Sequence, residues 1–417
     1  MLSGADGVLY VRVSDMARVG SRGWSPLAFQ VAFAILNSAI MRILLVGNYL
    51  LDNQASMLRY ADMLCRHLTL RGHEVEVIRP RVMVGDLAVQ PTLRKWLGYV
   101  DKYVFFPMQL RSRARDFDLV HICDHSNSMY LPAVGAGPAS ITCHDLLAIE
   151  SARDKYPHQE VSFSGKILQR WILRHLAAAE NVICVSRNTA LELAALSNNP
   201  AQKIAVIPNL LGPKCLRATP EAILSVRKRI GIGSEEPYLF HIGAEVWYKN
   251  RLGVLRIFQK LLTKLTDNGY PGLRLVVAGA AFSPEMRAFA DAELPPGTVL
   301  EVVSPGDDDL WPLYSGATAL LFPSWHEGFG WPLIEAQRCG CPVIASNRAP
   351  MTEVAGSAAL YIDPADEAGA AESIAANFGR LGDMREAGYR NAERFDAPVV
   401  FQAYDDFFSG VLRTHSA

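Results

Sequence analysis

The 417-residue sequence is short of three features, and each shortage excludes a class of protein. No apolar run reaches the roughly 18 residues that a membrane-spanning helix needs. The formal net charge is only −1, so no overall positive field attracts nucleic acid. The seven cysteines show no C-x2-C spacing and are odd in number, which disfavours both a zinc-finger site and a disulfide framework. We expect free, mostly buried thiols in a reducing compartment.

The composition and the apolar pattern predict the fold class. Half of the residues are apolar and the charges are balanced, which is enough apolar material for two hydrophobic cores. From Met41 onward, short apolar stretches such as 43–46 alternate with amphipathic stretches such as 55–71. This alternation predicts an α/β protein of two Rossmann-like domains, each with a doubly wound parallel sheet, facing a cleft. Ligands should bind beyond the carboxyl ends of the strands.

Breaks in the pattern divide the chain into four predicted regions. Residues 1–40 form an N-terminal extension that we expect to be poorly ordered, although arginines before an apolar run also resemble a weak signal peptide. Residues 41–215 and 216–395 form the two Rossmann-like domains. Residues 396–417 form a last helix.

The strongest functional signal is a predicted strand that runs into a glycine-containing loop and then a helix. The loop and the helix start read Glu327-Gly-Phe-Gly-Trp-Pro-Leu-Ile-Glu335. Backbone N–H groups near Gly328 and Gly330, and those of the first helical turn, can bind phosphate oxygens. The two glutamates are too far apart along the helix to share one sugar ring, so they suit two parts of an extended ligand. Either glutamate alone would be an ordinary helix-start or surface residue.

A second signal lies in His241-Ile-Gly243-Ala-Glu-Val-Trp-Tyr-Lys249-Asn250. A predicted strand ends at Gly243, and Lys249 and Asn250 are predicted to begin the next helix. A lysine at such a turn can neutralise a diphosphate group as a point charge. A solvated lysine at a helix start is the alternative.

The segment from Glu327 to Glu335 resembles the E-x7-E signature of glycosyltransferase family 4, a family with the GT-B fold and retention of anomeric configuration. The similarity covers residues 41–408 and points to bacterial mannosyl- and rhamnosyltransferase-like members. It implies that Glu335 holds the ribose of a nucleotide-sugar donor and that Glu327 contacts the transferred sugar. The resemblance also implies backbone donors to the donor phosphates from Gly328, Phe329 and Gly330.

The resemblance extends to the other regions of the chain. It implies that residues 41–215 bind the acceptor, that residues 216–395 bind the donor, and that the last helix returns to the N-terminal domain. The lysine turn resembles the family's V-G-x4-R-K-N turn, but Tyr248 stands where an arginine is usual. Arg251 is the candidate replacement cation.

Four further candidate residues follow predicted strands of the N-terminal domain. His144, in Thr142-Cys-His-Asp-Leu146, resembles the family's H-D-L segment, in which the histidine meets the donor sugar. A buried structural histidine is the alternative. Gln54, Asp124 and His125 are candidates for an acceptor pocket. Gln54 also stands near the position where many members carry a Gly-Gly pair.

Two stretches have less specific meanings. Residues 307–309 are three aspartates, which suggest a metal in other glycosyltransferases, but acidic residues at a helix start also favour the helix dipole. We therefore expect neither metal nor cofactor. Residues 93–115 are basic and aromatic, which suits an anionic membrane or a lipid-diphosphate acceptor. An amphipathic core helix with a solvated basic face would look the same.

These features together predict a retaining, metal-independent hexosyltransferase. It would move a mannose-like unit from a nucleotide-diphosphate sugar to a sugar or lipid-linked glycan acceptor in surface polysaccharide biosynthesis. We expect a cytoplasmic protein, with peripheral contact at the inner face of the plasma membrane through residues 93–115, and no nucleic-acid partner. Two alternatives stay open: a nucleotide-sugar epimerase or hydrolase on the same fold, and a non-catalytic subunit that binds sugar nucleotides.

Overall fold

The computed structural model describes residues 2–3, 9–10, 40–52, 54–84, 91–156, 159–267 and 272–416. Most of the predicted N-terminal extension therefore lies outside the described residues. Two short strands within it, β1 (Leu2–Ser3) and β2 (Leu9–Tyr10), pair antiparallel. The chain divides into two compact units, one of Met1–Pro208 with Ala397–Ala417 and one of Asn209–Asp396.

The first unit contains a six-stranded parallel sheet. Its strands are β3 (Arg42–Val46), β4 (Glu74–Ile78), β5 (Leu119–Ile122), β6 (Ala139–Cys143), β7 (Asn181–Cys184) and β8 (Lys203–Val206). They lie in the order β4-β3-β5-β6-β7-β8. The inner strands are almost wholly buried, which is why they read as continuous apolar runs. The order reverses between β3 and β5, and this reversal is the topological switch point of the sheet.

Seven helices of the described chain connect these strands. They are α1 (Ala55–Leu70), α2 (Pro91–Val100), α3 (Phe106–Arg113), α4 (Leu131–Val134), α5 (Leu147–Ala152), α6 (Phe163–Ala178) and α7 (Arg187–Leu196). A π-helical turn, Asp101–Phe105, joins α2 to α3. Ser186 caps α7, because its side chain accepts a hydrogen bond from the Thr189 N–H at 3.1 Å.

The second unit contains another six-stranded parallel sheet. Its strands are β9 (Tyr238–Gly243), β10 (Arg274–Gly279), β11 (Val299–Val303), β12 (Ala319–Phe322), β13 (Val343–Ser346) and β14 (Ala359–Ile362). They lie in the order β11-β10-β9-β12-β13-β14, so the switch point falls between β9 and β12. The two doubly wound sheets confirm the predicted fold class.

Helices also flank the second sheet, and one more closes the chain. They are α8 (Pro220–Arg229), α9 (Arg251–Asp267), α10 (Pro284–Glu293), α11 (Asp307–Gly316), α12 (Trp331–Arg338), α13 (Met351–Ala355), α14 (Glu367–Asn377), α15 (Arg385–Ala392) and α16 (Ala397–Ser416). Helix α16 belongs to the first unit, although it follows the second in sequence. Among the described helices, none combines the length and the apolar character that crossing a membrane requires.

The division between the units differs from the prediction at its first boundary. It falls after Pro208, whereas the pattern suggested residue 215. The segment between them packs with the second unit, because the Leu211 N–H donates to the Phe395 carbonyl at 3.1 Å and the buried Cys215 thiol lies 3.7 Å from the Glu335 carbonyl oxygen. Backbone pairing with a residue far along the chain leaves no local signal in the sequence.

Candidate functional site

Two loops meet at the switch point of the second sheet. One follows β9 and the other follows β12, and neighbouring parallel strands end at the same sheet edge. The backbone N–H of Trp325 donates to the Tyr248 carbonyl at 2.7 Å. The side-chain amide of Asn250 donates to the Pro323 carbonyl at 3.0 Å. These bonds hold the lysine turn against the loop that carries Glu327.

Lys249 and Glu327 form an ion pair across these loops. The Lys249 Nζ lies 2.7 Å from Glu327 Oε1, and the two side chains are only 14% and 7% exposed. The ammonium also lies 5.2 Å from the centre of the Phe322 ring. Partial burial strengthens the attraction between the charges, and each would be costly to leave alone. An incoming phosphate would have to compete with Glu327 for the ammonium.

The start of the helix after Lys249 differs from the prediction. Lys249 ends a short 3-10 turn, Trp247–Lys249, and α9 begins only at Arg251. Asn250 lies between them with φ 52°, in the left-handed region that asparagine tolerates better than most residues. This conformation separates the turn from the helix, and the Asn250 side chain bridges to the neighbouring loop.

Two glycines allow backbone geometry that a side chain would block. Gly330 has φ 95° and precedes the first residue of α12, so it lets the loop turn sharply into that helix. Gly279 at the end of β10 has φ 110°, and a Cβ there would lie 2.4 Å from the carbonyl oxygen of Gly243. Gly279 was not predicted, although a glycine that ends a buried strand is a usable signal.

Glu335 and Phe329 are both buried, with different consequences. The Tyr314 hydroxyl donates to Glu335 Oε2 at 3.0 Å, which orients the carboxylate. Burial, together with the Glu335 carboxylate, raises the pKa of Tyr314, so its phenol stays protonated and able to donate. The Phe329 ring packs 5.6 Å from that of Phe395. Only the backbone of Phe329 is therefore suited to the predicted ligand contact.

Arg251 is engaged in holding a neighbouring loop. Its side chain is 2% exposed, and its guanidinium donates to the Ala280 carbonyl at 2.6 Å and pairs with Glu245. The suggestion that Arg251 replaces the cation missing at Tyr248 is therefore disfavoured, because its donors already serve the loop after β10. Lys249 is the candidate phosphate cation that the described residues offer here.

In the first unit, Asn48 joins two predicted site residues at the switch point. Asn48 follows β3, and its side-chain amide donates to Asp124 Oδ2, which follows β5, at 2.5 Å. The same amide donates to the side chain of Gln54. His125 Nδ1 lies 3.2 Å from Asp124 Oδ1, outside hydrogen-bond geometry. Gln54, Asp124 and His125 thus lie together. Asn48 was missed, although a polar residue directly after the first buried strand is a usable signal.

Asp124 is held as a carboxylate. Burial acts to raise its pKa, but the neighbouring His125 and His144 and hydrogen bonds from Ser126 outweigh burial and lower the pKa overall. The Ser126 hydroxyl donates to Asp124 Oδ2 at 2.6 Å, and the Ser126 N–H donates to Oδ1 at 3.0 Å.

His144 is buried beside this group as a neutral imidazole. Burial lowers its pKa, although Asp124 acts in the opposite direction. Its Nε2 lies 2.9 Å from the Cys123 carbonyl oxygen, which can only accept, so Nε2 carries the hydrogen. Its Nδ1 has no hydrogen-bond partner among the residues that the structure describes. His144 is therefore an acceptor, suited to a substrate hydroxyl.

The three aspartates lie in the first turn of α11, where the helix dipole favours negative charge, and the N-cap residue is Gly306. Asp307 Oδ2 lies 3.2 Å from Lys214 Nζ, and Asp309 pairs with Arg229. Among the described residues, no group of three or more His, Cys, Asp or Glu side chains is arranged to hold a metal ion. Asp307 and Asp309 thus have cationic partners, and all three aspartates lie at the positive end of the helix dipole.

Family profiles match both units. The profile for Glycosyltransferase Family 4 matches residues 57–211, and the profile for Glycosyl transferases group 1 matches residues 224–393. The chain belongs to glycosyltransferase family 4. The resemblance noted at Glu327–Glu335 is thereby confirmed at the level of the family.

Two relatives of this glycosyltransferase are named as O-antigen chain mannosyltransferases. The O-antigen chain mannosyltransferase B of Escherichia coli is 29% identical over 58% of the chain and 61% of its own length. The O-antigen chain mannosyltransferase RfbU of Salmonella typhimurium is 30% identical over 55% of the chain and 57% of its own length. The match thus spans about three fifths of each relative.

A solved structure shares the GT-B fold of this family member. The Anabaena protein HepE in complex with UDP and glucose superposes with a TM-score of 0.65 at 16% identity, over 89% of this chain and all of HepE. At this identity the likeness concerns the fold.

Proposed function

We propose that this glycosyltransferase transfers a hexosyl unit, mannose-like, with retention of configuration, from a nucleotide-diphosphate sugar to a sugar or lipid-linked glycan. The observation that carries the proposal is the Lys249–Glu327 ion pair at the switch point of the second sheet, close to the start of α12. The names of the O-antigen mannosyltransferases support mannose and surface polysaccharide biosynthesis. The UDP complex of HepE supports a nucleotide donor.

Each donor part has a matching group in the second unit. The Glu335 carboxylate, oriented by Tyr314, suits two ribose hydroxyls. The diphosphate would take Lys249 as counter-ion, with backbone N–H groups of residues 328–330 and of the α12 start as further donors. Glu327, released from Lys249, would then accept hydrogen bonds from the transferred sugar.

The proposed chemistry needs a stabilised leaving group. As the bond between the anomeric carbon and the phosphate oxygen breaks, negative charge grows on the diphosphate and positive charge on the sugar. A preorganised ammonium and backbone N–H groups would stabilise the first charge. The acceptor hydroxyl attacks from the face that the diphosphate leaves, and its proton passes to a phosphate oxygen. We expect neither metal nor cofactor in this step.

The first unit would provide contacts for hydroxyl groups. His144 Nδ1 would accept a hydrogen bond from the donor sugar, and Gln54, Asp124 and His125 would bind the acceptor. We also propose peripheral membrane contact through residues 93–115, at the inner face of the plasma membrane. Support comes from Trp96 and Met108, which are 58% and 70% exposed, whereas Phe106 and Leu110 on the same stretch are buried. The side chains of residues 91–95 lie outside those described.

A panel of nucleotide sugars tests the proposal. We expect one donor among GDP-mannose, UDP-glucose and dTDP-rhamnose to raise the melting temperature, because a ligand bound to the native state stabilises it. Release of nucleoside diphosphate should then depend on an added glycan acceptor. Free sugar released without acceptor would indicate a hydrolase, and an epimerised donor an epimerase. Stabilisation without any turnover would indicate a binding subunit.

A further inference from the structure

A row of buried polar side chains lies on one face of the first sheet. Ser140 and Thr142 alternate along β6 and so point to the same face. His121 of β5 lies between them, with Nδ1 2.9 Å from the Ser140 hydroxyl and Nε2 3.0 Å from the Thr142 hydroxyl. All three residues are at most 1% exposed. Buried polar groups are costly unless they are paired, and here they pair with one another.

Two tyrosines extend this row from the helices. The Tyr60 hydroxyl of α1 lies 2.9 Å from the Thr142 hydroxyl and 2.5 Å from the Tyr404 hydroxyl of α16. Burial raises the pKa of both phenols, so both remain protonated. Because Tyr404 comes from the last helix of the chain, the tyrosine pair exists only when α16 is docked on the first unit.

The Tyr60 ring packs against the imidazole of His144. The two ring centres are 4.6 Å apart and the planes are perpendicular, at 88°. At its other side the imidazole is held by the hydrogen bond from Nε2 to the Cys123 carbonyl. Two contacts of different kinds thus define the orientation of a ring that is only 5% exposed.

His144 Nδ1 is the atom that this arrangement leaves for a ligand. It is buried and has no hydrogen-bond partner among the described residues. A buried acceptor without a partner carries a desolvation cost, which a ligand hydroxyl would relieve. The buried row reaches the His144 ring only through Tyr60, whose hydroxyl contacts Thr142 and whose ring packs against the imidazole.

We propose that Tyr60 and Tyr404 are positioning residues for His144, and that α16 contributes to the activity through them. Tyr404 fixes the Tyr60 hydroxyl, the Tyr60 ring fixes the plane of the imidazole, and Nδ1 is thereby aimed at a substrate hydroxyl. The inference rests on the proposed function, because it assumes that His144 contacts substrate. Small displacements of a positioned group lower rates by one to two powers of ten.

The competing explanation is that the tyrosine pair merely fastens α16. Helix α16 has a second buried attachment point, at Asp405, which allows the two explanations to be distinguished. Asp405, 3% exposed, accepts from Arg71 Nε at 2.6 Å and from His73 Nε2 at 3.1 Å. The adjacent Asp405 fastens the same helix without touching His144, so Asp405→Asn is a matched control for Tyr404→Phe.

The kinetic experiment uses the full chain at a temperature well below its melting point. We expect Tyr404→Phe and Tyr60→Phe to lower kcat about tenfold, with little change in the KM for the donor. Asp405→Asn should lower the melting temperature by several degrees while it leaves kcat unchanged. Equal loss of kcat in Tyr404→Phe and Asp405→Asn, in step with melting temperature, would overturn the proposal.

A spectroscopic experiment keeps the inference separate from the proposed function. In protein with 15N-labelled histidine, the His144 signal, assigned by its loss in His144→Asn, should show the Nε2–H tautomer. Tyr60→Leu, which removes the aromatic ring, should give mixed tautomers, whereas Asp405→Asn should not. A wild-type Nδ1–H tautomer, or an unchanged signal in Tyr60→Leu, would overturn the proposal. This result does not require turnover, so a failure of the transferase assignment would be recognised independently.

Discussion

The candidate sites in the two units both lie at the carboxyl ends of their strands, but they offer different side chains to a ligand. In the second unit the site depends on charge, with the Lys249–Glu327 ion pair beside the start of α12. In the first unit the candidate ligand atom is Nδ1 of the neutral His144, whose ring packs against the Tyr60 ring beside the Asp124 carboxylate. Coulomb attraction tolerates small displacements, whereas hydrogen bonds to a neutral ring depend steeply on geometry. The ion-pair site of the second unit therefore suits a diphosphate, and the His144 site of the first unit suits a sugar hydroxyl.

The largest expected effect comes from removing the charge. Lys249→Ala takes away the leaving-group cation and leaves the Glu327 carboxylate nearly buried without its counter-ion. We expect donor turnover to fall by about 10²–10³-fold, as measured by release of nucleoside diphosphate. Lys260→Ala on α9 is a matched control, because that side chain is 39% exposed. Near-normal turnover in Lys249→Ala would remove the ion pair from the reaction.

A change at the other end of the pair should separate binding from turnover. Glu327→Gln leaves Lys249 without its competing carboxylate, so the affinity for UDP or GDP should rise, by about tenfold if 1.4 kcal/mol of competition is relieved. Turnover should fall, because the contact to the sugar is weakened. Titration calorimetry with the free nucleoside diphosphates measures this affinity. Weaker diphosphate binding in Glu327→Gln would show that Glu327 does not compete for the ammonium.

The buried, neutral histidines should make the free energy of unfolding depend on pH. In the first unit, burial lowers the pKa of His121 to about 3 and also lowers the pKa of His144. In the second unit, burial likewise lowers the pKa of His241 to about 3. In the unfolded chain these groups bind protons near pH 6.5, but in the folded chain they do not. Their contribution to stability is therefore present above pH 6.5 and is lost as the pH falls towards the folded pKa.

We expect each such histidine to cost about 1.4 kcal/mol per pH unit below pH 6.5. Urea unfolding at pH 7, 6 and 5 measures the slope. His121→Gln in the first unit and His241→Gln in the second should each reduce this slope by about 1.4 kcal/mol per pH unit, because each removes one group that binds a proton on unfolding. A free energy of unfolding that stays constant between pH 7 and pH 5 would contradict the neutral state of these rings.

The smallest effect is expected at the aspartates that start α11. Asp309 and its partner Arg229 are partly exposed, with side chains 35% and 56% accessible, so Asp309→Asn should change the free energy of unfolding by less than about 1 kcal/mol. Turnover should be unaffected both by this change and by EDTA, because Lys249 is the proposed counter-ion of the diphosphate. Loss of turnover in EDTA that added Mg²⁺ restores would reverse this conclusion.

Much of the fold and part of the site were readable from local patterns. The alternation of apolar and amphipathic stretches predicted both sheets. A serine directly before an amphipathic stretch is also a usable signal for a helix start, as at Ser186. The turn containing Lys249 and the loop containing Glu327 were predicted to bind phosphate because each connects a buried strand to a helix start, whereas the sugar contact of Glu327 was implied only by the resemblance to glycosyltransferase family 4. Their direct ion pair was not predicted, because 78 residues separate them and only the strand order brings their loops together.

The sequence by itself determined which residue types stand at the ends of which strands, since periodicity and turn residues act over a few neighbouring positions. The tertiary structure alone decided their partners. It paired Lys249 with Glu327, placed residues 209–215 with the second unit, and brought Tyr404 to Tyr60 across 344 positions. Such pairings depend on the order of strands and the docking of helices. A buried polar group is then satisfied by whichever partner the fold delivers.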